Sequence, residues 1–173
     1  AEFGSGRPVL REDLTLRLDP LQPLRSGSYR FTSQGLPAER CTYIEKGCLR
    51  RPVLDLKYAR RLGLPPTPLP YAMDSLYLEG PPPLELHAAL ESVGNGALVL
   101  AVLGVHTQDS ASGDFSLSAP QALRIEGGEF TGKLKATISG NLFELLCGAG
   151  MEMVSFEGEH TPGLAVDCQL DPK

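Results

Sequence analysis

The sequence predicts an α+β fold: a mostly antiparallel β-sheet or barrel-like core with a few short helices. Three observations carry that prediction. First, YIEKGCLRRPVLDLKYARRLGL (43–64) lies over RIEGGEFTGKLKATISGNLFEL (124–145) at a constant offset of 81 residues. Second, each copy contains an Ile-Glu-x-Gly segment between apolar runs, the signal of a tight hairpin. Third, ALVLAVLGV (97–105) is apolar and branched enough for a buried strand.

The elements follow in order. LTLRLDP (14–20) alternates Leu with polar residues and reads as a half-buried strand. The aligned copies place Ile44 over Ile125, Gly47 over Gly128, Val53 over Leu134 and Ala59 over Gly140. Each copy reads as strand, turn, returning strand and short helix, which makes an internal duplication of about 28–64 and 109–145. Ala59–Gly63 opens the first helix, and Asn141–Cys147 forms the second, capped by Ser139 or Asn141. The stretch between the copies, 64–86, is Pro-dense and expected to be extended or irregular. Leu86, Leu90 and Val93 share one helical face, and Gly94 or Gly96 stops that helix. In GDFSLSAPQALRIEGGEF (113–130) the Gly127-Gly128 pair suits a turn with positive φ, and the first half carries small residues that leave room for a close approach.

Composition narrows the function. The 173 residues suffice for one domain with a real core, assigned to 5–173, and AEFGSG reads as a cloning scar over 1–4 ahead of a fragment of a longer protein. Lys and Arg number 16 against 21 Asp and Glu, a net charge of -5 without a basic stripe, which argues against direct contact with nucleic acid. No apolar run approaches the ~18 residues of a membrane span. The four cysteines, Cys41, Cys48, Cys147 and Cys168, follow no zinc or disulfide spacing, so reduced thiols in a cytoplasmic protein are expected. Cys41 and Cys48 flank a hairpin turn, and Cys147 and Cys168 read as core residues.

No catalytic set stands out. His87, His106 and His160 do not pair at metal-binding spacing, and H-E-x-x-H, C-x-x-C and G-x-S-x-G are all missing. His87 reads as a helix-surface residue and His160 as an exposed turn. His106 lies in GVHTQDSASGD, a loop at a strand end, where sites often gather. The small-residue alternation Ser116-x-Ser118 suggests a strand bordering a groove, with His106 and Asp114 near its mouth. An extended peptide would add as a strand there, making His106, Asp114, Ser116 and Ser118 the candidate peptide-binding residues, with no metal ligand in the chain. Ser118→Trp would then weaken binding at little cost in stability.

A family resemblance begins in the same stretch. GDFSLSAPQALRIEGGEFTGKLKATISGNLFELL is similar to the signature of the TldD/PmbA family, described as modulators of DNA gyrase and as peptide-maturation proteases. That signature has a Gly-Asp-Phe-Ser strand, an Ile-Glu-x-Gly-Glu hairpin and a Gly-Asn-Leu helix start, in this order. GSGRPVLREDLTLRLDPLQP, RFTSQGLPAERCTYIEKGCL, GNGALVLAVLG and TPGLAVDCQL resemble further family blocks, extending the likeness over about residues 5 to 171.

The resemblance also marks departures. Family members carry acidic residues where Thr32, Ser33 and Gln34 stand, and a Ser-Thr-Gly-Asn-like block where GLPPTPLP stands. The TldD branch takes zinc ligands from an upstream H-E-x-x-x-H helix and a Cys near the C-terminus. MEMVSFEGEHTPGL has no Cys at that place, and Cys168 comes later. The resemblance therefore implies the C-terminal domain of a PmbA-like (TldE-like) subunit without metal, in a peptide-processing assembly. Its partner would be a TldD-like subunit holding the zinc, or a second copy in a homodimer. Two alternatives stay open: the C-terminal domain of an active zinc metallopeptidase whose H-E-x-x-x-H helix lies outside this sequence, and a non-enzymatic peptide- or protein-binding module.

Overall fold

The structure, a computed structural model, describes residues 6–68, 75–108, 111–159 and 161–173. The chain divides into two compact units, Ala1–Pro81 and Pro82–Lys173.

The first unit holds β1 (Thr15–Leu18), β2 (Cys41–Glu45), β3 (Cys48–Leu49), helix α1 (Leu56–Leu62) and β4 (Leu76–Glu79). They form an antiparallel sheet in the order β3-β2-β1-β4. The Leu alternation around β1 puts Leu14 and Leu18 fully inside. Leu18, Cys41 and Tyr43 make the core of this sheet, with Ile44 and Leu76 packed against them. The Tyr43 hydroxyl is tolerated there because it donates to the Pro68 carbonyl. Helix α1 starts three residues before Ala59, because the Asp55 carboxylate accepts from Tyr58 N at 2.7 Å and caps it. Within the Pro-dense stretch 64–86, Leu76–Glu79 is extended as β4, and its Leu-Tyr-Leu-Glu segment pairs with β1.

The second unit holds β5 (Leu84–Glu85), α2 (Leu86–Val93), β6 (Gly96–Leu103), a 3₁₀ turn (Val105–Thr107), β7 (Asp114–Glu126) and β8 (Glu129–Asn141). It continues with α3 (Leu142–Cys147), β9 (Glu152–Ser155), β10 (Gly163–Ala165) and β11 (Gln169–Pro172). The long β7–β8 hairpin organises a four-stranded antiparallel sheet, β11-β8-β7-β6. Its core is Ala122, Leu134 and Ala136, with Ala97, Val99 and Leu170 packed on them. A smaller sheet, β10-β9-β5, includes the parallel pair β5–β9. Strand β7 runs through Pro120, which has no N–H to give the ladder, by shifting register between Ala119 and Ala122.

The repeat is visible in the hairpins. Glu45 pairs with Cys48 and Glu126 with Glu129, each closing a two-residue turn. Both central residues have positive φ in each turn: Lys46 and Gly47, then Gly127 and Gly128. The second turn glycine is anchored alike, Gly47 N donating to Leu14 O and Gly128 N to Gly94 O, both at 2.8 Å. The meander β1-β2-β3 thus corresponds to β6-β7-β8, and a helix follows each. The equivalence ends beyond the turns. Residues 137–143, which the offset lays over α1, are the end of β8 and the start of α3. Val53 is exposed where Leu134 is buried.

Two burial expectations are corrected. Among the described residues β6 is an edge strand, paired on one side only; Leu100, Val102 and Leu103 on it and Val105 just beyond it are exposed. Cys147 is exposed at the end of α3, and Cys168 is half-buried just ahead of β11. None of the four cysteines is in a disulfide. Among the described residues no helix is long and apolar enough to cross a membrane.

Candidate functional site

The register of the β7–β8 hairpin brings two sequence motifs together. Asp114 faces Asn141, Phe115 faces Gly140 and Ser116 faces Ser139. Gly-Asp-Phe-Ser and Ser-Gly-Asn-Leu, far apart in sequence, therefore become neighbours. Asn141 joins them: its Nδ2 donates to Asp114 Oδ1 at 2.7 Å and to Ser112 O at 3.0 Å. Its Oδ1 accepts from Phe143 N and Glu144 N, which caps α3. Gly113 has a φ of +79°, and a side chain there would run into the Phe143 ring. A side chain at Gly140 would meet the Phe115 ring at 3.2 Å. Both glycines are fixed by aromatic neighbours.

Beside this junction lies an open groove of about 540 Å³. Asp114, Phe115, Ser139, Gly140 and Asn141 form one wall, Glu144 and Leu145 of α3 one end, and Asp167, Cys168 and Gln169 the side toward β11. Among the described residues, three carboxylates and no basic side chain line it. Burial, with Asp167 alongside, pushes the Cys168 thiol up, so it is a poor nucleophile near neutral pH. The groove offers carboxylate and amide acceptors, which suit holding a ligand's N–H groups.

Of the expected site residues, Asp114 alone lines this groove. His106 stands exposed on the 3₁₀ turn and is not among the lining residues. Ser116 and Ser118 lie on β7, and the expected strand addition beside them meets an obstacle. The Ser116 backbone is already engaged: its N–H donates to Gln108 Oε1 at 2.8 Å, and its carbonyl accepts from Gln108 Nε2 at 3.4 Å. Gln108 thus substitutes for a strand neighbour where β6 has ended. Ser118 is half-buried, with Leu103 on one side and Thr137 on the other. An added strand needs an edge, and β7 offers none at these residues. His160 lies outside the described residues. Sequence reasoning missed Glu144, Asp167, Cys168 and Gln169 as groove residues. The capping signal of Asn141 pointed to the right end of the hairpin.

The family resemblance implies zinc, so the donor set bears on it. Among the described residues no three His, Cys, Asp or Glu side chains gather in a way that could hold a metal ion. The described residues do not fit a zinc centre.

Fold and groove define a class: a β-rich domain that presents a carboxylate-lined groove beside the end of a long hairpin. The sequence profile of the PmbA/TldA metallopeptidase C-terminal domain matches residues 4–167. The chain belongs to the PmbA/TldD family, in the part that forms its C-terminal domain. It is 28% identical over 152 residues to a protein of Methanothermobacter thermautotrophicus named a metalloprotease, covering 82% of this chain and 33% of that protein. The chain therefore spans about a third of that relative's length. Among solved structures it resembles a Bacteroides thetaiotaomicron protein named as a modulator of DNA gyrase, with TM-score 0.71 and 23% identity, over 98% of this chain and 38% of the other. It also resembles TldE from Thermococcus kodakarensis, with TM-score 0.68 and 22% identity, over 99% and 41%. A Thermotoga maritima protein, also named as a modulator of a DNA gyrase, matches with TM-score 0.68 and 26% identity over 99% and 41%.

Proposed function

We propose that this chain is the C-terminal domain of the metal-free, PmbA-like subunit of a peptide-processing assembly, and that its groove holds part of the peptide. The observation that carries the reading is the groove itself: acceptor groups line it, among the described residues no general base stands beside an activated nucleophile, and Cys168 is disfavoured as a thiolate. Family membership supplies the peptidase context. The family resemblance suggests the division of labour: a TldD-like partner subunit holds the zinc and cuts, while this domain binds and positions.

The test uses the full-length protein together with a metal-bearing relative from the same organism. Gln169 is exposed on the groove side of β11, so Gln169→Trp would fill the groove without touching the core. The expected result is a KM raised about tenfold, corresponding to ~1.4 kcal/mol of lost binding, at unchanged Tm. Unchanged KM in a folded variant overturns the groove reading. Peptidase activity and stoichiometric zinc in this subunit alone overturn the metal-free reading. The Methanothermobacter relative named a metalloprotease supports a second reading, in which the same kind of domain follows a metal-bearing helix. An H-E-x-x-x-H sequence ahead of residue 5 in the full-length gene would select it.

A further inference from the structure

The two hairpin tips are held by the same pair of bonds. In the first, Gly47 N donates to Leu14 O at 2.8 Å and Lys46 N to Thr15 Oγ1 at 3.2 Å. In the second, Gly128 N donates to Gly94 O at 2.8 Å and Gly127 N to Asn95 Oδ1 at 3.1 Å. A carbonyl and the next residue's side-chain oxygen thus clamp each turn. The two side chains differ in chemistry: Thr15 has no amide to lose, whereas the Asn95 amide stands exposed ahead of Gly96. The sequence contains one other asparagine, Asn141, and its amide is fully employed. Its Nδ2 donates to Asp114 and Ser112, and its Oδ1 accepts from Phe143 N and Glu144 N. The N–H that follows it, of Leu142, donates to Gly113 O. Among the described residues the Asn95 Nδ2 has no partner.

We infer that Asn95-Gly96 is a self-modification site, where loss of the side-chain amide through a succinimide loosens the second hairpin tip. The Gly96 N, its proton taken by hydroxide, attacks Asn95 Cγ. A Cγ–N bond forms, the Cγ–Nδ2 bond breaks, and ammonia leaves with a proton from water. Water then opens the imide ring at either carbonyl, giving aspartate or isoaspartate without any redox change. The site favours the first step. Gly96 has no Cβ to crowd the approach of its N. The Gly127 N–H points at Oδ1, where the tetrahedral step places negative charge. The leaving nitrogen gives up no hydrogen bond. The two products act oppositely on the clamp. Aspartate keeps an acceptor in place and strengthens it with a charge. Isoaspartate adds a carbon to the main chain between Gly94 and Gly96 and carries its carboxylate on a shorter arm. The bonds to Gly127 and Gly128 can then no longer be made together. This tip is the far end of the hairpin from Asp114 and Asn141, so the inference is independent of the peptide reading.

The experiment is storage of the full-length protein at mildly alkaline pH in heavy-oxygen water, followed by peptide mass mapping. Asn95 should exchange its amide for a carboxylate carrying one heavy oxygen, while Asn141 keeps its amide. Isoaspartate at position 95, read by enzymatic carboxyl methylation, should accompany aspartate. Gly96→Ala brings no left-handed strain, because Gly96 is not among the positive-φ residues. Only Val93 Cγ1, at 3.1 Å from the new Cβ, has to turn aside. This variant should slow the loss about tenfold. The isoaspartate form, separated by chromatography, should lose amide-exchange protection at Gly127 and Gly128, and Asn95→Asp should keep it. An Asn95 as long-lived as Asn141 overturns the inference. So does loss at an undiminished rate in Gly96→Ala, or an isoaspartate form whose tip amides stay as protected as those of Asn95→Asp.

Discussion

Gly47 and Gly128 occupy the same place in the two hairpin turns, yet alanine should cost very different amounts at each. Both have positive φ, +72° and +81°, so either substitution carries left-handed strain of about 1 kcal/mol. At Gly128 a new Cβ would sit 3.4 Å from Leu90 O, an ordinary contact, and the cost stops there. At Gly47 the Cβ would lie 3.0 Å from Arg11 O and closer still to Leu10 O, both backbone atoms. Residues 9–11 would have to withdraw, breaking the bonds that Val9 N and Leu10 N make to Gly47 O at 2.8 and 3.2 Å. At about 1 kcal/mol for each, the total reaches ~3 kcal/mol. For a chain of this size, each kcal/mol is about 2–4 °C in Tm. Calorimetry should therefore show Gly47→Ala losing roughly 6–12 °C and Gly128→Ala roughly 2–4 °C. Equal losses would refute the reasoning, because they would mean the 9–11 segment yields at no cost and strain alone decides.

Burial pushes the Tyr43 phenol well above its usual range, so the folded state needs it neutral. Its stabilising effect is complete below the unfolded value of about 10 and declines as pH rises past it. Alkaline denaturation should be steeper for the wild type than for Tyr43→Phe, which at neutral pH should lose about 1 kcal/mol for the bond to Pro68 O. Asn141→Ala removes the cap of α3 and the bond to Asp114, and should cost ~1–2 kcal/mol in urea denaturation, with faster amide exchange across Leu142–Cys147. Intact protection of those amides would show that the cap is dispensable.

What the sequence disclosed, and what it concealed, follows from the range of each interaction. The turns were legible because Gly47 and Gly128 answer to local backbone geometry. Strand β1 was legible because its Leu alternation needs nothing beyond a buried face. Pairing partners are not local. ALVLAVLGV looks the same whether one neighbour or two flank it, so its edge position could not be read from its residues. The Pro-dense stretch 64–86 read as extended or irregular, and only the pairing with β1 picks out Leu76–Glu79 as strand β4. The same blindness applied to the site. Asp114 was found from its loop context. Asp167, Cys168 and Gln169 reach the groove only because β11 pairs with β8, a contact between distant segments.

The junction of the two motifs shows why a family signature is a weak guide to chemistry. Each of its four central residues has a constructional task. Gly113 takes a positive φ beneath the Phe143 ring, and its carbonyl accepts from Leu142 N at 2.8 Å. Asp114 receives the Asn141 amide, Gly140 leaves room for Phe115, and Asn141 caps α3. Replacing any of them disturbs the hairpin end before it touches a ligand. Residues occupied in this way report the fold. On the proposed reading, selectivity for a peptide would arise from groove side chains with fewer structural obligations, Glu144 on α3 and Asp167 and Gln169 on the β11 side. Both Glu144 and Asp167 are acidic and exposed. Charge reversal at Asp167 should therefore change which peptides bind while leaving the Tm in place, and Asn141→Ala should do the opposite.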